Sequence, residues 1–255
     1  MSSPQRAPPR YLSSEGPIGG TGMTETRESA LIVGTGPGLS ASLARLCAAQ
    51  GMAVTVAARD TGKLAGLIAE TGATARPCDA IDGASVDALF DAAVADHGVP
   101  DLVVYNPSYR ERGPLSGLDR EEVRKALLIS CYGGFLVGQK AAQLMLPRGS
   151  GSIQFTGASA SVKGYPQSAS FAMGKFGLRG LAQSMARELQ PKGLHVAHFV
   201  IDGGISAGPD DPRNDRGDDG LLLPDAIAET YLHVHRQHRS AWTWEVELRP
   251  WVEKF

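Results

Sequence analysis

Short runs of mostly apolar residues alternate with helix-like segments from Ser29 to Ile201, and this alternation restricts the fold more than any other feature of the chain. The runs are ALIV, AVTVAA, ATARPC, DLVVY, GSIQFTG and HVAHFVI. Most of them do not switch between apolar and polar residue by residue, so such strands need cover on both faces. Between them lie segments of helical character: LSASLARLCAAQG, closed by Gly51; KLAGLIAETG, capped by Asp60; ASVDALFDAAVADHG; a long region from about Glu121 to Leu146; and SASFAMGKFGLRGLAQSMAREL, from Ser168 to Leu189. A parallel sheet with helices on both sides, in an α/β/α sandwich, satisfies both patterns. EVEL near the C-terminal end reads as a last strand. No internal repeat and no second domain interrupts the series, so residues 29–255 are expected to form one domain.

Two segments fall outside this rhythm. Residues 1–28 are expected to be a disordered extension: positions 1–22 are rich in Pro, Gly and Ser and lack the apolar core of a signal peptide. Met23 would be a natural start. Residues 206–223, SAGPDDPRNDRGDDGLLL, read as a polar, mobile lid. The C-terminal stretch SAWTWEVELRPWVEKF carries all three tryptophans. Aromatics grouped in this way suggest burial against the domain or against another subunit.

Composition narrows the setting. A net charge of −2 gives no reason to expect nucleic acid or a membrane surface as partner. No apolar run is long enough to span a bilayer. Cys47, Cys78 and Cys131 are scattered without a CxxC pair, which fits a reducing cytoplasm. No metal site is expected. His233, His235 and His238 lack the i,i+4 spacing of a helical ligand pair, and the aspartates of 210–219 lack the spacing of a calcium loop.

The chemistry concentrates in a few places. VGTGPGLS joins the first strand to the first helix. Gly34, Gly36 and Gly38 let the backbone approach a ligand closely, and the helix N-terminus behind them offers N–H groups to a phosphate. An acidic residue ending the second strand would bind the ribose of NAD. This chain has Ala58 and then Arg59, which favours the 2′-phosphate of NADP. Asp60 could instead accept from a ribose, although helix capping explains it more simply. Lys175 sits among Ala172, Met173, Phe176, Leu178, Leu181 and Ala182, with Phe171 one turn earlier on the same face. A lysine in such company is costly to bury unless its charge is used. Lys163 and the apolar run 221–223 are candidates to line a substrate cleft.

These residues resemble the motifs of the short-chain dehydrogenases/reductases over nearly all of residues 30–250. The family's TGxxxGxG turn falls on Gly34 to Ser40, with Ser40 in the place of the last glycine. Its adenine-binding Asp falls on Asp79, beside Ala80, and its NNAG motif is reduced to Asn106 in YNPS. Its YxxxK signature is FAMGK. The resemblance implies a Rossmann-type sheet of seven parallel strands in the order 3-2-1-4-5-6-7. It implies that Gly34, Thr35, Gly36, Gly38 and Leu39 hold the pyrophosphate and that Lys175 holds the nicotinamide ribose. Gly203, in the place of the family's PG, and Ile205 would frame the nicotinamide.

The same resemblance exposes what is missing. Phe171 stands where the tyrosine acid belongs, and Ala158 where the serine belongs, with Ser159 adjacent. Ser130 replaces the helical asparagine, and Ala207 the threonine after PG. In carbonyl reduction a positioned acid contributes about 10²–10⁴-fold, and phenylalanine keeps the ring without the proton. Tyr165 or Tyr132 could act as the acid, or the substrate, an iminium ion for example, could need none. Alternatively the chain could bind NADP without turnover. The expected catalytic group is therefore Lys175, Ser159, Ser130, Tyr165 and Phe171, serving an NADP-dependent oxidoreductase of a small C=O, C=N or C=C compound. The family also implies a homodimer or homotetramer built on helices 121–146 and 169–190, with Gly174, Gly177 and Gly180 allowing close approach.

Overall fold

The computed structural model describes residues 27–217 and 219–253. Its sheet contains β1 (Ser29–Val33), β2 (Ala53–Ala58), β3 (Thr74–Pro77), β4 (Leu102–Tyr105), β5 (Gly151–Thr156), β6 (Leu194–Ile201) and β7 (Glu245–Leu248). All neighbours pair in parallel, in the order β3-β2-β1-β4-β5-β6-β7.

Burial on both faces follows from the pleat. Ala30 and Ile32 of β1, with Leu102 and Val104 of β4, enter one core beneath α1 (Leu39–Ala49), α2 (Ala65–Thr71) and α7 (Pro224–His235). Leu31 and Val33, with Val103 and Tyr105, enter the other core beneath α3 (Gly83–His97), α5 (Gly133–Met145) and α6 (Ala169–Leu189). Successive residues point to opposite faces, so a strand sandwiched between helix layers has to be apolar at every position.

Several helix boundaries follow local chemistry. Asp60 accepts from the Gly62 amide at the start of a 3₁₀ turn, Asp82 caps α3 through the Ala84 amide, and Gly72 ends α2 in the left-handed region at φ 67°. The long helix expected over 121–146 is instead α4 (Arg120–Leu127), a π-helical turn at Leu128–Tyr132, and then α5. The wide turn lets the chain carry one helical path past α6 while turning Ser130 fully inward.

Three expectations need revision. Residues 1–26 lie outside the described residues, but Arg27 and Glu28 belong to the ordered body. Arg27 donates to the carbonyls of Gly51 and Met52, and Glu28 meets His235 at 2.8 Å. The segment read as a polar lid is anchored along much of its length. Asp211 is buried and accepts from the Ala207 and Arg213 amides and the Arg213 guanidinium, which also donates to the Ile205 carbonyl. Ile205 bridges to Leu222, and Leu221 is buried. The tryptophans divide: Trp242 stacks on His195, Trp244 packs against the core, and Trp251 is exposed.

Candidate active site

In a parallel sheet the carboxyl ends of all strands share one edge, and the residues singled out by sequence gather there. At the end of β1, Gly34 has φ 83°, and a β-carbon on it would lie 2.6 Å from Pro107 of the β4 loop, so the turn admits only glycine. Ser40 ties this turn to its neighbour. Its hydroxyl donates to the Gly34 carbonyl at 3.2 Å and accepts from Asn106 Nδ2 at 2.7 Å, clipping the β1 turn to the β4 loop. Thr35 is braced, its amide donating to Ala57 and its hydroxyl to Ile32. Leu39 is buried in the core, so only its backbone is placed to face a ligand. Beyond Gly36 and Gly38 there is open space. Helix α1 begins at Gly38 without a side-chain cap, leaving first-turn N–H groups for an anion.

This turn forms one wall of a cleft of about 860 Å³ that also takes in Arg59, Lys63, Asp79, Ala80 and Asn106. The cations of the cleft differ in one respect. Arg45 pairs with Glu70 at 2.6 Å, Lys63 with Asp60 at 3.6 Å and Lys125 with Glu122 at 3.2 Å. Arg59 has no carboxylate partner among the described residues.

Lys175 is 2% exposed, and its Nζ donates to the Thr156 carbonyl at the end of β5, 2.7 Å away. Burial pushes its amine down to about 8. The Phe171 ring centre lies 5.9 Å from the same Nζ and 5.0 Å from the Arg110 guanidinium carbon. The Phe171 ring therefore has two cations beside it and no hydroxyl of its own.

The other expected catalytic residues fare differently. Ser130 is fully buried, and its hydroxyl is exchanged with the backbone of Tyr109 at 3.3 Å, so it pins the β4 loop. Tyr132 points the other way, 46% exposed and stacked on Phe135. Tyr165 is 40% exposed on the loop before α6, and its hydroxyl makes no hydrogen bond among the described residues. Ser159 begins a 3₁₀ turn, Ser159–Ser161, directly after Ala158. Asp202, directly before Gly203, is buried and held by Lys163 at 3.2 Å and Arg249 at 3.3 Å.

Sequence reasoning missed a buried polar chain next to Ala158. The Ser161 hydroxyl accepts from the Ala158 amide at 3.1 Å and lies 3.3 Å from His198 Nε2. His198 Nδ1 lies 3.1 Å from Glu245, which receives both Nε and Nη2 of Arg179. Burial pushes His198 down to about 4, so the ring is neutral at pH 7 despite the carboxylate beside it. Burial raises Glu245, but hydrogen bonding and charge from Arg179 outweigh it and hold the carboxyl low. The sequence carried one signal for this chain: a histidine in the otherwise apolar centre of HVAHFVI.

The glycines of α6 have a different task from the one expected. A β-carbon on Gly174 would lie 2.7 Å from that of Ser130, and one on Gly177 would lie 2.8 Å from Cys131 Sγ. Both serve close packing of α6 against the π turn within one chain. Only Gly180 faces open space.

A doubly wound sheet with a glycine turn at its switch point and a buried lysine one strand away defines a nucleotide-binding α/β protein. A family model described as enoyl-(acyl carrier protein) reductase matches residues 34–210. The chain belongs to the short-chain dehydrogenase/reductase family of oxidoreductases. It is similar to a crystal structure of a short-chain dehydrogenase from Rhodopseudomonas palustris, at 38% identity and TM-score 0.75, covering 88% of this chain and all (100%) of that one. It is 34% identical over 138 residues to (+)-borneol dehydrogenase 1 of Salvia officinalis, a match that spans 52% of this chain and 53% of that protein. It is 28% identical over 194 residues to the 3-oxoacyl-[acyl-carrier-protein] reductase MabA of Mycobacterium bovis, with 76% of each covered. An actinorhodin polyketide ketoreductase solved with NADPH shares the fold, at TM-score 0.79 and 22% identity over 89% of this chain and 97% of that one.

Proposed function

We propose that this protein is an NADP-dependent oxidoreductase acting on a small C=O, C=N or C=C compound with a catalytic set that lacks the tyrosine acid. The observation that carries the reading is Lys175: a buried amine fixed to the end of β5, at the same sheet edge as the glycine turn. A lysine with no ligand to serve would be selected against at such a place, because burying its charge destabilises the fold.

The residues present fit a dinucleotide. The open space beyond Gly36 and Gly38 and the uncapped start of α1 suit a pyrophosphate. Arg59, without a carboxylate partner among the described residues, suits a 2′-phosphate, and Asp79 and Ala80 suit the adenine. Lys175 would hold the nicotinamide ribose, with Gly203 and Ile205 beside the ring. Hydride transfer to or from a substrate carbon is the chemistry that an NADP nicotinamide supplies. What this chain adds is orientation and charge: Lys175 and Arg110 place positive charge around Phe171, where negative charge develops on a reduced oxygen. Neither Ser130 nor Tyr132 is free to donate a proton there. Tyr165 and Ser159 are the hydroxyls left for that role, unless the substrate needs none.

A non-catalytic NADP-binding protein is the second reading, favoured by the absence of a hydroxyl at both Ala158 and Phe171. Assembly into a dimer or tetramer is part of the same proposal. Tyr132, Phe135, Met173 and Phe176 form exposed apolar surface on the two long helical regions, which suits a second copy.

The experiment is NADPH oxidation by the purified protein against ketones, imines and enones, beside the variant Phe171→Tyr with Ala158→Ser. Activity of the wild type on imines or enones is the expected result. A wild type that reduces nothing, with a double variant that gains ketone reduction, would overturn the reading.

A further inference from the structure

The loop after β4 brings an arginine to the tyrosine's place and holds it there. Three hydrogen bonds sew residues 110–113 to the start of α6: Arg110 Nη2 donates to Ser168 Oγ at 2.6 Å, Ser170 Oγ to the Glu111 carbonyl at 2.7 Å, and the Gly113 amide to the Gln167 carbonyl at 3.2 Å. Gln167 adopts φ 58°, a left-handed conformation that a non-glycine residue keeps only where its surroundings impose it. The guanidinium is thus fixed over Phe171, 5.0 Å from the ring centre.

Its charge is unanswered. Lys163 and Lys125, the other cations around this end of the site, are matched by Asp202 and Glu122. Among the described residues no carboxylate pairs with Arg110, and only one of its hydrogen-bond donors is used. Arg112, on the same loop, adds repulsion instead of relief, and it too lacks a carboxylate partner among the described residues. A rigid, exposed guanidinium with free donors at the mouth of a site is suited to a planar anion.

We propose that Arg110 binds the carboxylate of the substrate, which is a small oxo acid or the corresponding imino or hydroxy acid. This rests on the oxidoreductase reading for the reaction, but the binding itself does not depend on turnover. The carboxylate lies against the guanidinium, and the reacting carbon lies one to a few bonds away, beside Phe171.

The test uses the full chain saturated with NADP⁺, where no oxo acid can be reduced. Pyruvate, 2-oxobutyrate, acetoacetate and levulinate are titrated calorimetrically, each against its methyl ester. At least one acid is expected to bind roughly tenfold or more tightly than its ester. Arg110→Gln removes that difference while the affinity for NADP⁺ is unchanged, and Arg110→Lys restores part of it. Equal affinities for every acid and its ester, or an acid preference that survives Arg110→Gln, overturns the proposal. Inorganic phosphate displacing the acid at equal concentration overturns it as well, because the site is then a general anion site. Selective acid binding with no turnover of any acid, ketone, imine or enone in the presence of NADPH would sustain this inference and sink the oxidoreductase reading. Turnover of neutral ketones with no acid preference would do the reverse.

Discussion

Replacing Lys175 with methionine is expected to stabilise the unliganded protein at neutral pH while weakening NADPH binding. The amine is 2% exposed, and burial pushes it from its usual 10.5 down to about 8. Between those two pH values the unfolded chain holds a proton that the folded chain has lost, so stability rises with pH across that window. Below pH 8 the amine is charged in both states and the full penalty of burial is present. Above 10.5 the penalty is gone. At about 1.4 kcal/mol for each tenfold change in proton affinity, the penalty is about 3 kcal/mol. Methionine fills similar space without charge but gives up the bond to the Thr156 carbonyl, a loss of about 1–2 kcal/mol in a buried place. The balance at pH 7 favours the variant by about 1–2 kcal/mol, roughly 2–8 °C in melting midpoint for a chain of this size. At pH 10 the advantage shrinks to nothing or reverses. Urea melts of both proteins at the two pH values, with an NADPH titration at pH 7, measure this, and subtracting wild type from variant cancels the other titrating groups. A variant less stable than wild type at pH 7, or a difference that does not change with pH, refutes the reasoning.

Other consequences are equally open to measurement. Arg59→Ala should remove most of a preference for NADPH over NADH, roughly tenfold or more by calorimetry; equal affinities in the wild type would rule the 2′-phosphate contact out. Gly174→Ala drives a methyl into Ser130 and should lower the denaturation midpoint. Gly180→Ala has open space and should be neutral or stabilising by about 0.5–1 kcal/mol, unless light scattering shows that it breaks an assembly. Asp211 is held well below the usual carboxylate range by hydrogen bonds from Arg213 and the Ala207 amide. Its contribution is fully present above the usual carboxylate pKa of 3.8 and is lost only as pH falls from there toward the lowered folded value, so limited proteolysis within 206–213 should be unchanged in mild acid and accelerate only in strong acid, whereas Asp211→Asn should show that acceleration already at pH 7.

The sheet was legible because its signal is local. Apolar runs such as DLVVY and ALIV state both the strand and its burial on two faces, and the FAMGK spacing fixes Phe171 against Lys175 through one helical turn. What was not legible depends on which distant segments meet. Arg110 and Phe171 are joined by the path of a loop, and His198 reaches Glu245 only once β6 and β7 pair. Gly174 and Gly177 read as small residues in either case, but whether a small residue faces its own chain or a partner depends on the helix opposite. The π turn that settles this has no marker in LLISCY. The anchoring of segment 206–223 was not legible for a similar reason: its aspartates look solvated until Arg213 is seen folding back on Asp211.

The chain Ser161–His198–Glu245–Arg179 runs from the site to the final strand, and this sets an order of events during synthesis. Arg179, His198 and the backbone around Ala158 leave the ribosome well before Glu245 does. Until β7 arrives, a histidine in the middle of a hydrophobic strand and a guanidinium on α6 have no carboxylate to meet. Strands β1 to β4 are free to assemble early, whereas this polar chain is completed only when the last strand adds itself to the edge. A nascent chain halted before Glu245 would therefore carry a buried histidine and an arginine with no carboxylate between them.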